Sequence, residues 1–145
     1  MMKAILLANL LMLILSQCLS AQKDSTFKEF YRNGKIRSIT HEGIFNGCYM
    51  SIGTDSFFYK SSKLDSTVFC DNRASKTQPG CHEGWTTAIT KKYFPNGKLK
   101  EISKQKYGYK GVPCDCGNWI WYNEQGTILK KRNYGKCYDQ KECEE

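Results

Sequence analysis

Eight short stretches of the chain alternate apolar and polar residues with the two-residue period of a strand, and none of the rest sustains a helical period. They cover 27–31, 35–41, 57–59, 63–69, 86–94, 98–106, 118–122 and 127–134. Two stretches rich in Pro, Gly and Cys, 71–84 and 108–117, break the alternation and read as stapled loops. The pattern predicts an all-β domain.

The same turn chemistry separates successive strands. Tyr31-Arg32-Asn33-Gly34-Lys35-Ile36 returns as Phe94-Pro95-Asn96-Gly97-Lys98-Leu99 and, more loosely, as Asn123-Glu124-Gln125-Gly126-Thr127-Ile128. A degraded copy, Tyr59-Lys60-Ser61-Ser62-Lys63-Leu64, lies between the first two. Anchored on Gly34, Ser62, Gly97 and Gly126, the copies recur after 28, 35 and 29 residues, a period that marks a repeat array. The array is predicted to be an antiparallel repeat sheet of consecutive β-hairpins.

Each copy fits a three-residue loop, a type I turn followed by a left-handed residue. Glycine takes positive φ without steric cost, so Ser62 predicts a strained or rearranged second turn. With this loop, four pairs face each other across the strands: Phe30 with Ile36, Phe58 with Leu64, Tyr93 with Leu99 and Tyr122 with Ile128. Each sets an aromatic against a branched aliphatic, a favourable cross-strand contact.

The start of the chain is of another kind. Met1-Met2-Lys3 precedes an apolar run, 4–15, and then small and polar residues, the layout of a secretory signal peptide. The run is too short to span a bilayer comfortably. Cleavage after Ala21 gives residues 1–21 as leader and 22–145 as a single repeat domain, secreted or periplasmic. Leu15-Ser16-Gln17-Cys18 also resembles a bacterial lipoprotein box, in which Cys18 is acylated, although Gln17 stands where that pattern has Gly or Ala.

Export changes how the cysteines are read, because thiols outside the cytoplasm pair and persist as disulfides. Of eight cysteines, seven lie beyond Ala21, so at least one stays unpaired within one chain. Cys70 and Cys81 flank a loop of turn formers and form the nearest bridge. Cys114, Cys116, Cys137 and Cys143 form a second cluster within which any pairing is compatible with the spacing. The same four suit a zinc site less well, since C-x-C is tighter than ordinary ligand spacing. No metal and no cofactor is expected.

Catalytic chemistry has little to work with. The chain of 145 residues holds two histidines, and Cys81-His82 are adjacent, so their side chains diverge. Glu29, Glu101 and Glu124 lie close to basic residues and read as surface pairs. No phosphate loop, G-x-S-x-G or H-E-x-x-H occurs. The expectation is a protein without enzymatic activity.

Lys and Arg number 22 against 14 Asp and Glu, a net charge of +8. The densest basic run is Lys130-Lys131-Arg132. An exported chain does not meet nucleic acid as a usual partner, so this charge points to an acidic protein or to anionic lipid or glycan. Three Trp, nine Tyr and seven Phe exceed what four small hairpins need for packing. Trp119 and Trp121 alternate on one strand and share a face. With Lys130, Lys131 and Arg132 they form the candidate binding face.

Residues 94–101, followed by Gly117-Asn118-Trp119-Ile120-Trp121-Tyr122-Asn123-Glu124-Gln125-Gly126, resemble the MORN-repeat variant of bacterial YwqK-type antitoxins. The likeness is good over 86–132, fair over 27–43 and poor over 44–85. The chain departs from that pattern in its many cysteines, in Ser62 and in lacking Gly-x-Trp before the first turn. The resemblance implies hairpins laid side by side and a protein that neutralises a toxin by binding it.

Overall fold

The computed structural model describes residues 24–45, 48–71, 86–107 and 113–137. The expected leader, Cys18, Cys81, His82 and Cys143 lie outside the described residues. Among the described residues ten strands form one antiparallel sheet: β1 (Ser25–Phe30), β2 (Ile36–Phe45), β3 (Cys48–Ser51), β4 (Gly53–Phe58), β5 (Leu64–Asp71), β6 (Thr86–Tyr93), β7 (Leu99–Tyr107), β8 (Pro113–Asp115), β9 (Asn118–Tyr122) and β10 (Ile128–Asn133). Their lateral order is β1-β2-β4-β5-β6-β7-β9-β10, with β3 beside β2 and β8 beside β7.

All four turns have the predicted geometry. In the first, the Gly34 N–H donates to the Tyr31 carbonyl at 2.9 Å and the Tyr31 N–H to the Lys35 carbonyl at 2.8 Å; equivalent pairs of bonds close the loops at Tyr59, Phe94 and Asn123. The φ angles at Gly34, Ser62, Gly97 and Gly126 are 78°, 70°, 83° and 91°. Ser62 therefore does not rearrange its turn. It adopts the left-handed conformation and bears the strain. Asn33 and Asn96 add a reason for Asn in the loop: their Oδ1 atoms accept from the backbone N–H of Lys35 and Lys98.

The four cross-strand pairs are also as expected: Phe30–Ile36, Phe58–Leu64, Tyr93–Leu99 and Tyr122–Ile128. Immediately beyond each pair the register shifts by a bulge, so Leu129, for example, has no residue opposite it. Between hairpins the pairing also repeats. Ser38, Ser66 and Glu101, each four positions past its turn anchor, face Phe57, Lys92 and Trp121, each five positions before the next anchor. Tyrosine hydroxyls tie neighbouring hairpins at their turn ends, Tyr31 donating to the Phe58 carbonyl at 2.6 Å and Tyr59 to the Tyr93 carbonyl at 2.8 Å. The third junction has Phe94 at this place and uses Asn96 Nδ2 and Lys98 Nζ on the carbonyls of Glu124 and Gln125.

Two strands lie where the alternation pattern gives none. β3 and β8 are the outer halves of broken strands whose inner halves are β4 and β9. The breaks fall at Ile52-Gly53 and Cys116-Gly117, where the glycines have φ of 73° and 66°. There the Ile52 N–H donates to the His41 carbonyl and the Cys116 N–H to the Lys104 carbonyl, so the sheet bonding continues across the interruption. Short segments broken by a left-handed glycine lose the period of two, which is why 113–115 reads as loop.

The cysteines need one correction. Cys116 and Cys137 form a disulfide with Cα atoms 4.9 Å apart, within the cluster expected to hold one. Cys48 and Cys114 are also disulfide-bonded. Cys70, however, is a free thiol and does not pair with Cys81. It lies on an inner strand opposite Gly53 and Ala88, with its side chain interacting with Ser51 and Asp55.

The sheet has almost no bulky core. Among the described residues the buried apolar side chains are Cys48, Ala88, Cys116 and Cys137, joined by the polar Ser38, Asp55, Thr87 and Ser103. Cross-strand contacts, backbone hydrogen bonds and disulfides therefore carry the stability. Because no atom lies within 4 Å of the position a Cβ would take at Gly97, its replacement meets only the φ penalty. Gly97→Val is expected to cost about 1–2 kcal/mol and Ser62→Gly to gain about 1 kcal/mol in urea denaturation.

Candidate functional site

The repeated register places four side chains of every hairpin on one face of the sheet. Nearest the turn is a facing pair that differs in chemistry from hairpin to hairpin. In the first, Ser38 Oγ donates to Glu29 at 3.2 Å. In the second, Phe57 faces Ser66. In the third, Lys92 Nζ lies 3.1 Å from Glu101. In the fourth, Lys130 Nζ lies 5.2 Å from the centroid of the Trp121 ring. One turn geometry thus presents a hydrogen bond, a phenylalanine facing a serine, an ion pair and a cation–π contact in a row.

The second row, farther from the turns, pairs Phe27 with Thr40, Asp55 with Val68, Thr90 with Ser103 and Trp119 with Arg132. Its last pair extends the aromatic patch. The Trp119 ring is 5.7 Å from Trp121 and 5.1 Å from Tyr134, in tilted arrangements, and the Arg132 guanidinium lies 4.4 Å from the Tyr134 ring centre. Both indole N–H groups are engaged: Trp119 donates to the Lys104 carbonyl at 3.0 Å and Trp121 to Glu101 at 3.1 Å. Glu101 is therefore no loose surface pair. It is largely covered, holding Lys92 through one carboxylate oxygen and Trp121 through the other.

These contacts hold two half-buried indoles in fixed orientation, with rings neither lost in a core nor free to rotate. The structure brings Trp119, Trp121, Lys130 and Arg132 together and adds Tyr134, which sequence reasoning missed. Its signal was present, since Tyr134 continues the alternation of Lys130 and Arg132. Lys131 is separated from them. It faces Ile120 on the other side of the sheet.

At the opposite end, the same face carries the carboxylates Glu29 and Glu42. Phe27, Glu29, Ser38, Thr40, Glu42 and Phe57, with Lys28, line a shallow groove of about 470 Å³, and Arg37 lies 3.9 Å from Glu29. The face therefore runs from carboxylates at β1–β2 to cations at β9–β10.

A third cluster surrounds the free thiol. Asp55 accepts from the His41 backbone N–H at 2.7 Å and from Ser51 Oγ at 2.9 Å, and the His41 Nδ1 lies 3.6 Å from it. Burial raises the Cys70 pKa above its ordinary value, the hydrogen bond with Ser51 opposes this and the Asp55 charge adds to it. A raised pKa disfavours the thiolate, the reverse of what a nucleophile needs. No group of three or more His, Cys, Asp or Glu suited to a metal ion occurs among the described residues.

The family model of the MORN repeat variant matches residues 23–41, 87–106 and 115–136. The matches fall on three of the four hairpins. The remaining hairpin, β4–β5, lies outside the matched residues but has the loop, the bulge and the cross-strand pair of the three matched hairpins. Its Gly53-Thr54-Asp55 occupies the place of Gly117-Asn118-Trp119, with Asp in place of the tryptophan. No curated protein and no solved structure matches the chain.

Alkylation tests the thiol assignment. Iodoacetamide is expected to label Cys70 in the native protein more slowly at neutral pH than an exposed thiol. The rate should rise with pH to a midpoint above that of an ordinary cysteine, as read by mass spectrometry across a pH series.

Proposed function

We propose that the chain is an exported, non-enzymatic binding protein that takes an acidic protein partner on the face formed by Trp119, Trp121, Tyr134, Lys130 and Arg132. The observation that carries this reading is the orientation of the two indoles by Lys104 and Glu101 while both rings stay only half-buried. Preorganised aromatics beside a guanidinium are the usual anchors of a protein interface. The MORN repeats support a repeat-type binding domain. The likeness to YwqK-type antitoxins supports the finer role, neutralising a toxin by occupying it.

A second reading is favoured by the charge of the same face. Lys130 and Arg132 are exposed beside the aromatic rings, and aromatic residues among cations also suit an anionic lipid or glycan of the cell envelope. Salt separates the two. Binding to an anionic surface weakens steeply with ionic strength, whereas an aromatic-anchored protein complex keeps most of its affinity.

The partner is accessible by affinity capture from the protein's own cells followed by mass spectrometry. Trp119→Ala and Trp121→Ala, made separately, are expected each to weaken the captured complex by about 2 kcal/mol or more while the sheet still folds by circular dichroism. Unchanged affinity in both variants would remove this face from consideration. Export has its own test: the intact mass of native protein is expected to correspond to a chain beginning near Gln22, and retention of residues 1–21 would oppose it.

A further inference from the structure

The two edges of the sheet are the two halves of one of its own internal junctions. At the three internal junctions the residue four positions past a turn anchor faces the one five positions before the next: Ser38–Phe57, Ser66–Lys92 and Glu101–Trp121. β10 ends this series with Lys130 in the first position, and β1 begins it with Glu29 in the second. Strand directions agree, since the eight strands of the main series alternate and β1 runs opposite to β10.

Exposure follows the same logic. The aromatic residues before the turns, Phe58, Tyr93 and Tyr122, are half-buried on the inner strands, whereas their counterpart Phe30 on β1 is 57% exposed. The aliphatic partners Ile36, Leu64 and Leu99 are half-buried, whereas Ile128 on β10 is 45% exposed and the bulged Leu129 67%. Repeat arrays that stay single are usually closed by polar outer faces. Here both outer edges keep the apolar residues that an internal junction covers.

We infer that β10 of one copy of this chain pairs antiparallel with β1 of the next, extending the sheet head to tail. The repeated register then places Lys130 against Glu29 of the next copy and Arg132 against its Phe27. It also places Lys131 against Lys28 of the next copy on the other face, an exposed like-charge contact that weakens the junction without closing it. The alternative two-fold arrangement, β10 against β10, sets Lys130, Lys131 and Arg132 of both copies along one seam. The charges oppose it. A head-to-tail contact is heterologous, so it leaves free ends and propagates. This inference does not depend on the function of the tryptophan face.

Sedimentation velocity over a concentration series of the Cys70→Ser protein, which removes dimers linked through the free thiol, reads the association. The expected result is a species heavier than one copy that grows with concentration. Lys130→Glu and Glu29→Lys are each expected to weaken association at least about tenfold, and the double variant to restore it to within about threefold. Lys28→Glu, which places an acid opposite Lys131, is expected to strengthen it about threefold. A single copy at every concentration up to about 1 mM would overturn the inference. So would a closed dimer that stops growing, or association indifferent to the charge exchange while each variant keeps the wild-type circular dichroism spectrum.

Discussion

A left-handed residue at the end of each three-residue loop sets the phase of everything that follows it. Once Gly34, Ser62, Gly97 and Gly126 adopt positive φ, the closing hydrogen bonds, the aromatic–aliphatic pair and the bulge fall at fixed distances from the turn. The bulge in turn decides which later residues reach which face. The Trp121–Lys130 contact and the Lys92–Glu101 ion pair occupy equivalent positions because their turns are equivalent. Ser62 is the severest test of this constraint, since it pays a steric cost to keep the register its neighbours use. Its hairpin is flanked on both sides, by β2 and by β6, and a slipped register would misplace the pairing along both seams.

The hairpins were legible in the sequence because the signal for each is local: Asn-Gly, an aromatic before it and an aliphatic after it. The broken strands were less so. Gly53 and Gly117 stand at equivalent distances before Ser62 and Gly126, and comparing the copies over a longer window shows β4 and β9 as strands entered through a glycine. Gly117-Asn118-Trp119 stands out as a motif, whereas Gly53-Thr54-Asp55 does not, because Asp55 replaces the aromatic. Disulfide pairing was the least legible. It depends on which face each cysteine occupies and what stands opposite, and the small Gly53 and Ala88 across from Cys70 are visible only once the register is known.

The candidate face was legible in part for the same reason. Alternation on one strand placed Trp119 beside Trp121, and that relation is purely local. The separation of Lys131 from Lys130 and Arg132 follows from the same rule, but three consecutive basic residues read as one patch until the strand divides them between two faces. The role of Glu101 comes from another hairpin altogether. Its carboxylate holds Lys92 on one side and the Trp121 indole on the other, so the acid that looked like surface decoration orients the aromatic site.

The thinness of the sheet has a thermal consequence. Heat capacity rises on unfolding chiefly because apolar surface is exposed to water, and polar exposure opposes that rise. In the described sheet the largest fully buried side chain is a cysteine, and of eight buried side chains four are polar or charged. Melting such a sheet uncovers little new hydrocarbon relative to the backbone it frees. Its curve of stability against temperature is accordingly broad, with cold unfolding displaced to lower temperature.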